Sequence, residues 1–92
     1  MTENELGFYI RKCIFSVYNE LGAGLLEKVY EKILIYALKN LGLHVNSQVP
    51  ISVNYKDMLI ESSFIADIIV NDKVIIEIKS ISEIIVFITN SC

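Results

Sequence analysis

Two spacings of apolar residues divide the chain, and the change between them falls near His44. Ahead of it, Leu6, Tyr9, Ile10, Cys13, Val17 and Leu21 recur at the three- and four-residue intervals of one helical face. Thr2 to Glu5 reads as a capping box, with Thr2 accepting from a backbone N–H and Glu5 reaching back. Gly22 stands where a left-handed residue ends a helix. A second helix is predicted from near Leu25, with Leu26, Val29, Tyr30, Ile33, Leu34, Ala37, Leu38 and Leu41 on its apolar face. Gly42 closes it, and Leu43 is placed for the accompanying hydrophobic contact.

Beyond His44 the period shortens to two. Val49, Ile51, Val53 and Tyr55 alternate with Pro50, Ser52 and Asn54, which predicts a half-covered strand, and Pro50 suggests its edge or start. Lys56-Asp57 is a plausible tight turn into Met58. Ser63 to Val70 predicts a more buried strand, and the whole of Met58 to Val70 can run as one long bent strand. Asn71 to Lys73 then turns the chain into a further strand ending at Ser80. The order helix, helix, strands predicts one α+β domain over residues 1–92, two amino-terminal helices packed on a small, mainly antiparallel sheet.

Charges inside those strands break the apolar pattern. Glu77 and Lys79 are two apart, so they share a face, while Val74, Ile76 and Ile78 share the other. Asp67 is a third such residue, between apolar neighbours. A two-residue loop at Asn71-Asp72 would set Asp67 opposite Ile76; a three-residue loop, Asn71 to Lys73, sets it opposite Glu77. The longer loop gives the more consistent sheet, with Phe64, Ala66, Ile68, Val70, Val74, Ile76 and Ile78 on one unbroken apolar face, and is the register we predict. Two carboxylates opposite one another repel unless a proton or cation intervenes. Two accounts fit: a structural ion-pair cluster of Asp67, Glu77 and Lys79, or a divalent metal held on the two carboxylates.

Bulk composition narrows the function classes. The 92 residues suffice for one domain, and the hydrophobic fraction of 53% with mean hydropathy +0.50 is high for so short a chain. The sheet is therefore covered on both faces, or a partner completes it. Apolar runs such as Ile33 to Leu38 fall far short of the roughly 20 residues of a membrane span, so no membrane partner is expected. The amino terminus shows no signal-peptide pattern, and Cys13 and Cys92 make no disulfide framework, so a reducing cytoplasm is the expected location. A net charge of −3 counts against a purely electrostatic nucleic-acid binder, more than against metal chemistry on carboxylates. His44 reads as a junction residue, Cys13 as a small core residue, and Lys28, Lys32 and Lys39 as a solvated face.

Gly24 to Tyr30, "GLLEKVY", fits a G-x-x-E-x-x-Y spacing. Followed by "QVPISVNYK" and "ADIIVNDKVIIEIKS", it makes the chain resemble the GxxExxY proteins over most of its length, a family that looks like a small branch of the PD-(D/E)XK nuclease superfamily. The resemblance implies a restriction-endonuclease-like core and, in active relatives, phosphodiester cleavage dependent on Mg2+ (or Mn2+). Nucleic acid is then the implied partner, DNA before RNA. By position, Asp67 corresponds to the first aspartate of the motif, Glu77 to its second acidic residue and Lys79 to its lysine. Asp67 and Glu77 would hold the metal, Lys79 would assist the attacking water or the phosphate charge, and Glu27 would be a further ligand, direct or through water. Gly24, Glu27 and Tyr30 run along one side of the second helix; Gly24 would permit close approach, or simply punctuate the loop, and Tyr30 is either site or core.

The chain departs from that family after Ser80. A helix carrying Gln and Tyr, then another strand, is the family pattern; here "SEIIVFITNSC" follows, and Ile84 to Thr89 is almost wholly β-branched. The expectation is a truncated member. The alternative function is a non-catalytic binding or dimerisation module on the same scaffold. The apolar "IIVFIT" segment could add a strand, dock as a helix, or pair with a second copy as a homodimer.

Overall fold

The computed structural model describes residues 2–22, 24–80 and 83–88, and the side chains of 53 and 61–63 are outside that description. Thr89 and Cys92 lie outside the described residues. Helix α1 spans Glu3–Leu21 and its capping box forms: the Glu5 N–H donates to Thr2 Oγ1 at 3.2 Å and the Thr2 N–H to Glu5 Oε1 at 3.0 Å. Gly22 does take a positive φ of 71°, but its ψ of −168° is the extended, glycine-favouring region rather than the left-handed helical one.

Helix α2 spans Glu27–Asn40, starting two residues later than the apolar run suggested. Leu26 is its N-cap in extended backbone, 76% exposed, with no side-chain oxygen to satisfy the first N–H groups. Leu41, also expected on the apolar face, is exposed. The face that is buried consists of Tyr30, Leu34 and Leu38, with Ile33 and Ala37 beside it.

Four strands follow as an antiparallel meander in the order β1 (Val45–Tyr55), β2 (Met58–Val70), β3 (Val74–Ser80), β4 (Glu83–Ile88). Pro50 lies on edge strand β1, where a missing N–H is tolerated. Met58 to Val70 is one strand, bent where Ser52 of β1 spans the register shift opposite residues 61–63 of β2. Ile84 to Ile88 of the "IIVFIT" segment add a strand, as their β-branched residues favour, and do not dock as a helix.

The loop at Asn71 to Lys73 has three residues. Val70 pairs with Val74, Ile69 with Ile75 and Ile68 with Ile76. Asn71 and Asp72 take φ of 52° and 56°, which their short polar side chains tolerate. Asn71 is also held from β1: the His44 N–H donates to Asn71 Oδ1 at 2.8 Å and the Asn71 N–H to the His44 carbonyl at 2.7 Å. His44 is thus a junction residue that fixes the hairpin loop.

Both helices cover one face of the sheet. Leu6, Ile10 and Val17 of α1, with Tyr30, Leu34 and Leu38 of α2, pack on Val45, Ile68, Val70, Val74, Ile76 and Ile78. Phe64, expected on this face, is 40% exposed because the β1–β2 hairpin runs on past the helices. Its tip leaves Tyr55, Met58, Leu59 and Ile60 open to solvent, and Ile65 and Phe87 are about half exposed. Much of the excess apolar character therefore remains at the surface.

Tyr30 joins the two helices. Its ring is fully buried and its hydroxyl donates to the Ile14 carbonyl of α1 at 3.1 Å. Truncation of Tyr30→Ala should cost roughly 3–5 kcal/mol through the cavity left in the core. Tyr30→Phe should cost about 1 kcal/mol, the net worth of one hydrogen bond. Urea unfolding midpoints separate the two; equal losses would mean that the hydroxyl, not the ring, carries the contact.

Candidate functional site

Strand β3 leaves β2 soon after the loop. Their pairing covers Ile68–Val70 and Val74–Ile76, whereas β2 continues along β1 and β3 continues along β4. The sheet forks there, and Asp67 and Glu77 are the first residues inside the fork. Backbone groups in such a gap need partners. The two carboxylates supply them: the Asp67 N–H donates to Glu77 Oε1 at 3.2 Å, and the Ile78 N–H donates to Asp67 Oδ2 at 2.8 Å.

This exchange changes the expected picture of three groups projecting side by side. Each acid turns into the gap and bonds the backbone of the opposite strand. Glu77 is only 8% exposed although its strand neighbours Ile75 and Lys79 are less buried. Asp67 is half-buried and Lys79 is exposed. The bonds leave Asp67 Oδ1 and Glu77 Oε2 outside this mutual pair.

Burial pushes the Glu77 carboxyl above its ordinary value. The Asp67 N–H opposes that shift, the Asp67 charge adds to it, Lys79 opposes it and Glu31 adds to it. Glu31 was not anticipated from the sequence. It follows Tyr30 in α2, is 8% exposed, and accepts from Gln48 Nε2 of β1 at 3.1 Å. Gln48 has a φ of 51°, a conformation that costs a non-glycine residue on the order of 1–3 kcal/mol. It falls between the pairs Ser47↔Ile68 and Val49↔Ala66, which is the position facing Asp67.

The other expected residues lie as follows. Glu27 is exposed in the first turn of α2, one turn before Glu31. Tyr30 is core. Gly24 is exposed and an added Cβ there would meet nothing within 4 Å among the described residues, none of which requires a glycine. Lys28, Lys32 and Lys39 are exposed, and Cys13 is half-buried against the core with its thiol pushed up by burial.

Among the described residues no three His, Cys, Asp or Glu side chains form a ready metal cage. The donor set at the fork still suits a hard divalent ion: two carboxylates, each with one oxygen outside the mutual bonds. Mg2+ is commonly held on one or two carboxylates with water and phosphate oxygens completing its sphere.

A raised carboxyl value has a signed consequence for stability. The folded state takes up the Glu77 proton more readily than the unfolded chain, so Glu77 costs stability once it ionises. The cost is absent below the ordinary glutamate value near about pH 4.3, grows as pH rises through the folded value, and is full above it. Glu77→Gln keeps an oxygen for the Asp67 N–H and removes the charge. It should melt above wild type at neutral pH. The two melting curves should converge in acid; a constant gap across pH would assign the effect to packing.

A search of curated proteins and a search of solved structures each return no match. The family model described as the PD-(D/E)XK nuclease superfamily matches residues 4–89, a span that contains both helices, all four strands and the fork. With two helices on a mainly antiparallel sheet and acids at the β2–β3 divergence, the chain belongs to the PD-(D/E)XK nuclease superfamily.

Proposed function

We propose that this domain is a metal-dependent nuclease-like module of the GxxExxY type, acting on phosphodiesters in nucleic acid, DNA in preference to RNA. The observation that carries the reading is the pair of carboxylates locked into the β2–β3 fork, one of them buried. Buried acids kept together against their repulsion are characteristic of functional sites. Asp67 and Glu77 would hold Mg2+ or Mn2+, with Glu27 contributing through water from the start of α2. When bound, the ion supplies Lewis-acid polarisation of the phosphate and lowers the pKa of water. Lys79, on the strand that carries Glu77 and open to solvent, would meet negative charge developing on the phosphate.

Metal binding tests this reading without requiring turnover. An ion that binds the native state raises its apparent stability, by about 2.7 kcal/mol at a hundredfold excess over Kd. Mn2+ should raise the melting temperature of the wild type and leave Asp67→Asn unchanged. No response in either protein removes the chemistry, and an equal response in both puts the ion elsewhere.

A second copy of the chain is the further partner we propose, through β4. This strand is last in the sheet order, and a cleft of about 650 Å³ between it and α1 is lined by Arg11, Phe15, Tyr18, Ile84 and Val86. Along the sheet edge β4 carries one charge, Glu83, so nothing in its middle blunts pairing. Gly7 lies beneath both Ile88 and Arg11: a Cβ there would come 3.5 Å from Ile88 Cδ1 and 3.3 Å from an Arg11 guanidinium nitrogen. Light scattering should give a mass rising toward the dimer with concentration, and Val86→Lys should return it to monomer. A concentration-independent monomer mass would overturn the assignment.

A further inference from the structure

The β1–β2 ladder has a gap opposite the acids. Cα pairs run Val45↔Val70, Asn46↔Ile69, Ser47↔Ile68, then resume at Val49↔Ala66, so Gln48 and Asp67 face one another without pairing. Gln48 is the residue within β1 that takes a positive φ, 51°, among the described residues. The amide that such a break releases on Asp67 is the one bonded by Glu77 Oε1. A left-handed glutamine inside a strand does not hold itself there. Its side-chain amide is fastened to Glu31 Oε2 at 3.1 Å, and Glu31 is in turn set by its place in α2, next to the core residue Tyr30. The chain of contacts therefore runs from the core of α2, through Glu31 and Gln48, to the backbone opposite Asp67 and so to Glu77.

We propose that Glu31 and Gln48 are positioning residues: Glu31, acting through the Gln48 amide, keeps β1 turned away from Asp67 so that the Asp67 N–H is left for Glu77 and the two acids stay in the fork. Neither residue needs to touch metal or substrate in this role. The hydrogen bond to Glu31 is what offsets the unfavourable backbone of Gln48, and the result is a fixed spacing of the acids before any ion arrives. Groups that orient the ligands of a metal commonly affect affinity as strongly as this, by tenfold or more when removed.

The consequence for metal affinity rests on the reading of Asp67 and Glu77 as a metal-holding pair, so the test has one arm that needs no metal. Amide hydrogen exchange is followed by NMR in metal-free protein, comparing the Asp67 and Ile78 amides with those of Ile14 and Val17 in α1. Glu31→Leu and Gln48→Ala should speed exchange at Asp67 and Ile78 by roughly tenfold relative to α1, while Glu31→Gln, whose amide oxygen still accepts from Gln48, should stay near wild type. In the second arm, Mn2+ affinity measured calorimetrically should fall roughly tenfold or more in the first two variants and be retained in Glu31→Gln. Unchanged exchange in Gln48→Ala overturns the proposal, and because Gln48 is exposed this variant serves even where Glu31→Leu fails to fold. Loss in Glu31→Gln with none in Gln48→Ala also overturns it, since Glu31 would then act by charge. Faster exchange in the clamp variants of a protein that binds no Mn2+ upholds the clamp and removes the metal reading alone.

Discussion

A break in the β1–β2 ladder at Gln48 and a fork between β2 and β3 take backbone N–H groups out of regular strand pairing, and in this domain two carboxylates bond them. The Asp67 N–H and the Ile78 N–H are each bonded by an acid from across the gap. Charged acceptors make stronger hydrogen bonds than carbonyls do, so the exchange compensates for the lost ladder and for part of the repulsion between the acids. It also dictates where they sit. Because each carboxylate is anchored through one oxygen to a strand it does not belong to, the spacing of the pair follows the geometry of the fork rather than the freedom of two side chains.

Fork geometry depends in turn on elements that have no part in the chemistry. The three-residue loop sets the parity that brings Asp67 across from Glu77, and that loop is pinned by two bonds between Asn71 and His44 at the start of β1. Continued pairing with β1 on one side and β4 on the other pulls β2 and β3 apart. The helices, joined by the buried Tyr30 hydroxyl, cover the face on which Ile68, Val70, Val74 and Ile76 lie and hold the short paired stem of the hairpin rigid. A register slip of one residue would turn Glu77 away from Asp67 and carry Ile75 and Glu77 onto the face of Ile68 and Val70.

Most of this frame was legible in residue spacing. Alternation along Ala66 to Ile78 identifies the buried face, and the demand for an unbroken apolar face selects the three-residue loop. Where reading failed, the information lay between distant residues. Leu25-Leu26 extended the apolar run of α2 past its true start because hydrophobic spacing carries no mark of an absent cap. Glu31 escaped notice for a related reason. Glu27 and Glu31 are one turn apart on the same side of the helix, and the motif spacing drew attention to the first, whereas burial selects the second. Nothing in the run Asn46-Ser47-Gln48 announces a left-handed glutamine, since its cause is a carboxylate on another element.

The cost of burying Glu77 bears on how the site is built. A domain of this size has little stability to spare, and its exposed Tyr55, Met58, Leu59 and Ile60 show that much of its apolar surface contributes nothing to the core. A carboxyl destabilised by burial, by Asp67 and by Glu31 would be readily replaced if folding alone governed that position, since glutamine would serve the Asp67 N–H without the charge. Valine or isoleucine would suit the strand still better. The same holds for Asp67, whose side chain closes a bond that continued strand pairing would close unaided. Where β2 and β3 part, two carboxylates from opposed strands stand together, each anchored through one oxygen, an arrangement whose chemistry suits a cation. Glu27 differs from the pair at the fork: it lies in solvent, where a glutamate costs the fold little and is favoured by the helix dipole at the start of α2.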